Sequence, residues 1–245
     1  MVDRSYRARI YSQYVQARSQ ALAPKTLEGL APRAPSLRRL VRQHFPDSRS
    51  AAVLDLGCGH GALLHFAREA GYTSLQGVDG SSQQVEAARR LGIAGVEEGD
   101  LRAVLSAQPD VSLDVVVAYD VIEHFTRDEL LPFVDEVRRV LKAGGRWIIH
   151  VPNAESPFFG AVRYGDLTHE MAFTRNSLAQ LLLASGFSEV SCFEDEPVVH
   201  GGKSALRWML WKGIRSLLRL YVAVEAGDAG GAQIFSRNLL AVARK

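Results

Sequence analysis

Residues 53–61 read Val53-Leu54-Asp55-Leu56-Gly57-Cys58-Gly59-His60-Gly61. The apolar run from Ala51 to Leu56, ending in glycines, reads as a buried parallel strand. Ala62–Ala70 then reads as a helix closed by Gly71. Glycines at such a strand-to-helix turn let the main chain bend sharply and let a ligand approach it. Alone the cluster is ambiguous, because Gly57, Gly59 and Ala62 also satisfy the G-x-G-x-x-A dinucleotide fingerprint.

Working outward, strand and helix patterns alternate. Leu75–Val78 is a second strand, and Ser81 caps a helix running to about Leu91. Val96–Glu98 is a weak third strand and Leu113–Tyr119 a strong fourth. Helix Arg127–Leu141 leads to a fifth strand, Trp147–Val151. Asn153–Ala172 shows no periodicity and reads as loop. A helix over Thr174–Ser185 precedes two closing strands, Phe187–Phe193 and Gln233–Ala243. The expected fold is α/β: a Rossmann-like doubly wound sheet of seven strands. Ligands of such sheets bind beyond the carboxyl ends of the strands, near the switch point.

Three acids mark those ends. Asp55 lies two residues before the first glycine, where a carboxylate suits a cationic or amine group and would repel a pyrophosphate. Asp79 ends the second strand, where it can accept from both ribose hydroxyls. Asp100 ends the third, with Leu101 beside it to meet an adenine ring. The set suits a ligand with ribose, adenine and a cation but no phosphate.

VLDLGCGHG at 53–61, VDGS at 78–81, GDL at 99–101 and YDVIEHF at 119–125 resemble the class I S-adenosylmethionine-dependent methyltransferases. The helix before LKAGGRWIIHVPN at 141–153 resembles them too, and the likeness covers roughly residues 45–195. It implies a mostly parallel sheet with the last strand antiparallel, N-terminal helices, and a helical insertion before that strand. It also implies S-adenosyl-L-methionine as cofactor. Asp55 with Gly57, Cys58, Gly59 and Gly61 would hold the methionine moiety, Asp79 with Gly80 the ribose, and Asp100 with Leu101 the adenine. Asp120 and Val121 would lie beside the sulfonium. The domains expected are an N-terminal helical lid at 1–45 and a methyltransferase domain at 46–245, with an insertion at 197–230.

The acceptor class follows from smaller signals. Asn/Asp-Pro-Pro-Tyr/Phe, which marks amino methylation of bases in these enzymes, is absent, so no nucleic-acid partner is expected. D-V-I-E-H-F resembles the ubiquinone-type and glycan O-methyltransferase branch. Tyr164–Thr174 with the Ala184–Phe187 turn resembles enzymes of polysaccharide and sugar modification. The expected reaction is therefore methylation of a hydroxyl on a sugar or glycan-type acceptor. A quinone- or polyketide-type acceptor is the alternative. From other classes come a nicotinamide oxidoreductase and a non-catalytic cofactor-binding protein. A hydroxyl must lose its proton as the methyl arrives, and histidine suits that task. His169, with Asp166 three residues before it to orient the imidazole, and His124 are the catalytic candidates. Asp166-x-x-His169-Glu170 could belong to a metal site, but no second cluster has ligand spacing, so no metal is expected. His44, His60, His65, His150 and His200 receive no role.

Composition agrees with an ordinary globular chain. It has 245 residues, 47% hydrophobic and 23% charged, which excludes disordered, collagen-like and coiled-coil classes. Two cysteines exclude a disulfide framework. Met1–Gln20 holds four arginines and no apolar core, and no uncharged apolar run spans a bilayer, so a cytoplasmic location is expected. Charge is uneven. Residues 1–45 carry 9 Lys/Arg against 2 acids, 46–200 carry 12 against 23, and 201–245 carry 8 against 2. Residues 203–224 place Leu206, Leu210, Ile214, Leu217, Tyr221 and Val224 on one helical stripe, opposite Lys212, Arg215 and Arg219. Such a helix either lies on an anionic membrane surface or packs its stripe on the domain or on a second subunit, giving a homodimer. Tyr6, Ile10 and Tyr14 suggest a helix over the cofactor.

Overall fold

The computed structural model describes residue 10 and residues 23–227 and 233–245. Tyr6 and Tyr14, the aromatic face expected of the N-terminal helix, lie outside the described residues.

Seven strands form one sheet: β1 (Val53–Leu56), β2 (Leu75–Asp79), β3 (Val96–Glu98), β4 (Leu113–Tyr119), β5 (Leu141–Pro152), β6 (Glu189–Glu194) and β7 (Asn238–Arg244). Their order is β3-β2-β1-β4-β5-β7-β6. The pairings β1–β2, β1–β4, β2–β3 and β4–β5 are parallel, and β7 runs antiparallel to both β5 and β6. This is the expected fold class. The order reverses between β1 and β4, so the crevice beyond those two strands is the switch point.

Alternation along the central strands builds two cores, one on each face. Leu54, Leu56, Val116, Ala118, Trp147 and Ile149 face one cluster. There they meet α5 (Arg127–Val140) and α7 (Arg175–Ala184) through Phe133, Val137, Leu178 and Leu182. Val53, Val115, Val117 and Ile148 face the other, with α1 (Ala34–His44), α2 (Ala62–Glu69) and α3 (Ser82–Arg90). Leu37, Leu40 and Val41 of α1 are part of that core, so residues 34–44 pack as a layer of the domain.

Local sequence accounts for the helix starts. Ser81 Oγ accepts from Gln84 N ahead of α3. Thr126 and Glu129 form a reciprocal capping box at α5, and Thr174 and Ser177 do the same at α7. Two short helices were not expected: α4 (Leu101–Ala107), capped by Asp100, and α6 (Phe159–Arg163) in the stretch read as loop. β5 is longer than expected because Leu141 and Arg146 also pair with β4, on either side of a register shift that contains Gly144 and Gly145. The expected insertion is α8 (Gly202–Ala226), of which only Ser204 is buried. Its stripe is exposed, from Ile214 at 51% to Val224 at 79%. Lys212 and Arg215 turn inward and pair with Glu196 (2.5 Å) and Glu194 (2.7 Å). No helix among the described residues is long and apolar enough to cross a membrane.

Candidate active site

The loop after β1 is a chain of left-handed residues. Gly57, Gly59 and Gly61 have φ of +69°, +56° and +79°. At Gly57 a Cβ would stand 2.6 Å from Val121 Cγ2, so glycine is required both by conformation and by the approach of the β4 loop. The N–H groups of Gly57 and Cys58 both donate to the Val78 carbonyl. Asp79 closes the same turn: its carboxylate accepts from Gly59 N and Ser81 N, each at 2.8 Å. A carboxylate offers about four lone-pair positions, so capacity remains for a ligand.

Asp55 is buried at 2% exposure, and its Oδ1 has no hydrogen-bond partner among the described residues. Burial, with Asp79 nearby, pushes it up to about 8. A buried carboxylate oxygen without a partner among the described residues, beside a glycine turn, suits an incoming ammonium group, and this is the observation that fits S-adenosylmethionine to the crevice. Asp100 Oδ1 caps α4 through Ala103 N at 2.9 Å, leaving the acid at the edge of the crevice beside Leu101. Gly80 lies in the turn between Asp79 and Ser81, where a Cβ would meet only the Gly99 carbonyl oxygen among the described residues, at 4.0 Å. Cys58 is half-buried, and burial with Asp55 and Asp79 raises its thiol far out of the reactive range.

After β4 the chain makes a strained turn at Asp120, a non-glycine residue with φ +58°. Asp120 Oδ1 lies 2.6 Å from His150 Nδ1, and His150 Nε2 lies 3.5 Å from Asp195 Oδ2. The His150 ring stacks on Tyr119 at 3.8 Å. Burial pulls this imidazole down, but Asp120 and Asp195 outweigh it and push it up to about 10. His150 was given no role from sequence. It sits mid-strand among apolar residues, and only its register opposite Tyr119 exposes its link to Asp120.

His124 and His169 come from different loops yet meet edge to face, with centroids 4.8 Å apart. Backbone bonds lock the two loops together: Glu170 N and Met171 N both donate to the Glu123 carbonyl. The Arg163 guanidinium donates to the carbonyls of His169 and Glu170. His169 Nδ1 meets the Val162 carbonyl at 3.0 Å. Asp166 Oδ1 accepts from Thr168 N (2.9 Å) and Thr168 Oγ1 (2.6 Å), and Thr168 Oγ1 lies 3.0 Å from His124 Nδ1. The bonded chain from Asp166 thus runs to His124, while a carbonyl takes the orienting place at His169 that was expected of Asp166. Burial, with His169 beside it, pushes His124 down to about 4. Both imidazole rings come within reach of Glu123, which is fully buried and whose carboxylate oxygens find no hydrogen-bond partner among the other described residues. Burial and then Asp120 hold Glu123 well above the usual carboxylate range. The ligand-type atoms of Glu123, His124 and His169 all lie within 4.8 Å of one another. Glu123 was legible only as part of D-V-I-E-H-F, and nothing in its spacing told that it is buried.

Residues 53–145 match the family model of the methyltransferase domain. A probable protein arginine N-methyltransferase 6 of Arabidopsis thaliana is 27% identical over 184 residues, 72% of this chain and 41% of that protein. A probable S-adenosylmethionine-dependent methyltransferase of Mycolicibacterium smegmatis is 30% identical over 136 residues, 55% of this chain and 51% of that protein. The chain therefore spans about half the length of these curated relatives, or less. Among solved structures, a SAM-dependent methyltransferase from Archaeoglobus fulgidus aligns with TM-score 0.67 at 20% identity, over 98% of this chain and 100% of that one. A Burkholderia thailandensis 1,6-didemethyltoxoflavin-N1-methyltransferase, solved with its substrate and S-adenosylhomocysteine, aligns with TM-score 0.56 at 18% identity, over 98% and 86%. With the sheet order, the glycine turn and the spaced acids, these likenesses establish the class I S-adenosylmethionine-dependent methyltransferase fold, with residues 53–145 similar to its methyltransferase domain.

Proposed function

We propose that the protein transfers a methyl group from S-adenosyl-L-methionine to a hydroxyl of a sugar or glycan-type acceptor. When bound, the cofactor supplies an electrophilic methyl on a sulfonium centre. Asp55 and the glycine turn would hold its amino acid end, Asp79 and Gly80 the ribose, and Asp100 and Leu101 the adenine. Asp120 and Val121 would form the wall beside the reacting centre. The observation that carries the hydroxyl reading is the contact between His124 and His169 next to that wall. An alcohol needs a proton acceptor there, whereas an amine acceptor does not. His169 is the favoured base, with Asp166 acting on the pair through Thr168 and His124. The remaining work is to hold the two reactants in line and exclude water.

A second reading, a quinone-type acceptor taken from a membrane surface, is favoured by the exposed apolar stripe of α8. The same stripe would serve a homodimer.

The test is turnover with methyl-labelled cofactor against a sugar-hydroxyl panel and a quinol panel. Methylation confined to sugar hydroxyls, with His169→Ala lowering kcat by about 10²–10⁴-fold at near-constant cofactor affinity, supports the proposal. Methylation of quinols alone transfers it to the second reading. Full turnover by His169→Ala and loss in His124→Ala would exchange the two roles.

A further inference from the structure

We infer that Glu123, His124 and His169 form a binding site for one divalent transition-metal cation. Two imidazoles and a carboxylate, with ligand-type atoms within 4.8 Å of one another, are a donor set that binds Mn²⁺, Fe²⁺, Co²⁺ or Zn²⁺. Donors around a metal at about 2.1 Å stand roughly 3.0–4.2 Å apart, so small side-chain shifts close the set.

A further observation points to a cation. Glu123 is fully buried, and neither of its side-chain oxygens is hydrogen-bonded to another of the described residues. A buried carboxylate in that state is costly unless a proton or a metal compensates it.

The imidazoles are oriented for the task. His124 Nδ1 faces the Thr168 carbonyl at 3.3 Å, and His169 Nδ1 faces the Val162 carbonyl at 3.0 Å. A Nδ1–H donated to a carbonyl leaves the lone pair on Nε2. That outer bond is the one that metal-binding histidines ordinarily make. The loops carrying the three groups are already joined through the Glu123 carbonyl, so the site is assembled by the fold.

The site deepens the hydroxyl-transfer reading and rests on it for its role. With a cation bound, His169 would serve as a ligand in place of acting as the base: the acceptor oxygen would be a further ligand, the metal would lower its pKa, and its proton would leave to solvent water. The acceptor class is then a hydroxyl with an adjacent oxygen able to chelate. Cation binding itself does not depend on turnover.

The experiment is equilibrium dialysis of chelator-stripped protein against Mn²⁺, with bound metal counted by elemental analysis and followed by electron paramagnetic resonance. The expected result is one Mn²⁺ per chain, with affinity reduced at least tenfold in Glu123→Gln and His169→Ala. S-adenosylhomocysteine affinity should stay within a few fold, which shows that these variants fold. Absence of binding by the unaltered protein, or binding undiminished in both variants, overturns the site. Turnover is read separately. Activity unchanged by EDTA would leave imidazole base chemistry intact and overturn the catalytic part of the inference, whereas no turnover with or without Mn²⁺ would count against the hydroxyl-transfer reading instead.

Discussion

Asp120 is anchored to His150 at both ends: its backbone N–H donates to the His150 carbonyl at 2.9 Å, and its carboxylate meets His150 Nδ1 at 2.6 Å. The double tie explains how a non-glycine residue is held at φ +58° where β4 gives way to the crevice. Burial opposes both charges. Asp120 is nonetheless lowered by His150, and His150 is raised from 6.5 to about 10 by Asp120 and Asp195. A raised histidine contributes fully below its unfolded pKa of about 6.5, and that contribution is lost as pH climbs through about 10. The lowered aspartate contributes above its unfolded value of 3.8 and loses its share as pH falls below it. Thermal unfolding should therefore show His150→Gln least stable relative to the unaltered protein between about pH 4 and 6.5, with the gap closing toward pH 10. A gap independent of pH would deny the ion pair.

Gly57 is predicted to be far less replaceable than Gly59. Gly57→Ala meets Val121 Cγ2 at 2.6 Å as well as a left-handed φ, whereas Gly59→Ala meets nothing nearer than Gln84 Oε1 at 3.8 Å. Backbone conformation alone costs about 1–2 kcal/mol. Denaturant titration should place Gly59→Ala near that figure and Gly57→Ala clearly beyond it, with cofactor affinity lost as Val121 is displaced. Equal costs would mean that the β1 and β4 loops yield easily.

Asp55 should make cofactor affinity depend on pH. It is pushed up to about 8, and a cationic group beside it favours the ionised form. Binding then releases a proton below pH 8, so affinity should rise with pH toward 8, by at most about tenfold per unit, and level off above it. Asp55→Asn should bind weakly with little pH dependence. Calorimetry in buffers of different ionisation heat measures the proton directly.

The sheet was legible because its central strands are continuous apolar runs ending in glycine or acid, and each run carries its own stop. What the pattern hid has local causes. Residues 101–107 form a helix nucleated by the Asp100 cap, yet Asp100 was read only as an adenine contact. Lys142–Arg146 continues β5 by pairing alone, with no apolar alternation to announce it. At the site, the acids and glycines at the strand ends could be placed from spacing. His150 and Glu123 could not, since their roles arise from neighbours distant in sequence: Asp120 and Asp195 for one, and for the other a loop 46 positions on that brings His169.

The stripe of α8 gives a further prediction. Eight large apolar side chains of this helix are exposed, among them Leu206, Leu217 and Val224. If the stripe meets a membrane, the protein should sediment with anionic vesicles at low salt and release as ionic strength rises. Leu217→Glu with Val224→Glu should abolish this without lowering the unfolding temperature. No sedimentation, together with a dimer in analytical ultracentrifugation that the same pair dissociates, would assign the stripe to a second copy.

The central claim is that the crevice beyond β1, β2 and β4 takes S-adenosylmethionine. Titration calorimetry with S-adenosylhomocysteine tests it most directly, with NAD⁺ and NADP⁺ as rivals. The account predicts one site per chain for S-adenosylhomocysteine, weakened by about 1.5–3 kcal/mol in Asp79→Ala through loss of a charged hydrogen-bond acceptor, and no heat from either dinucleotide. Binding of a dinucleotide, or S-adenosylhomocysteine affinity unchanged in a folded Asp79→Ala, would contradict it.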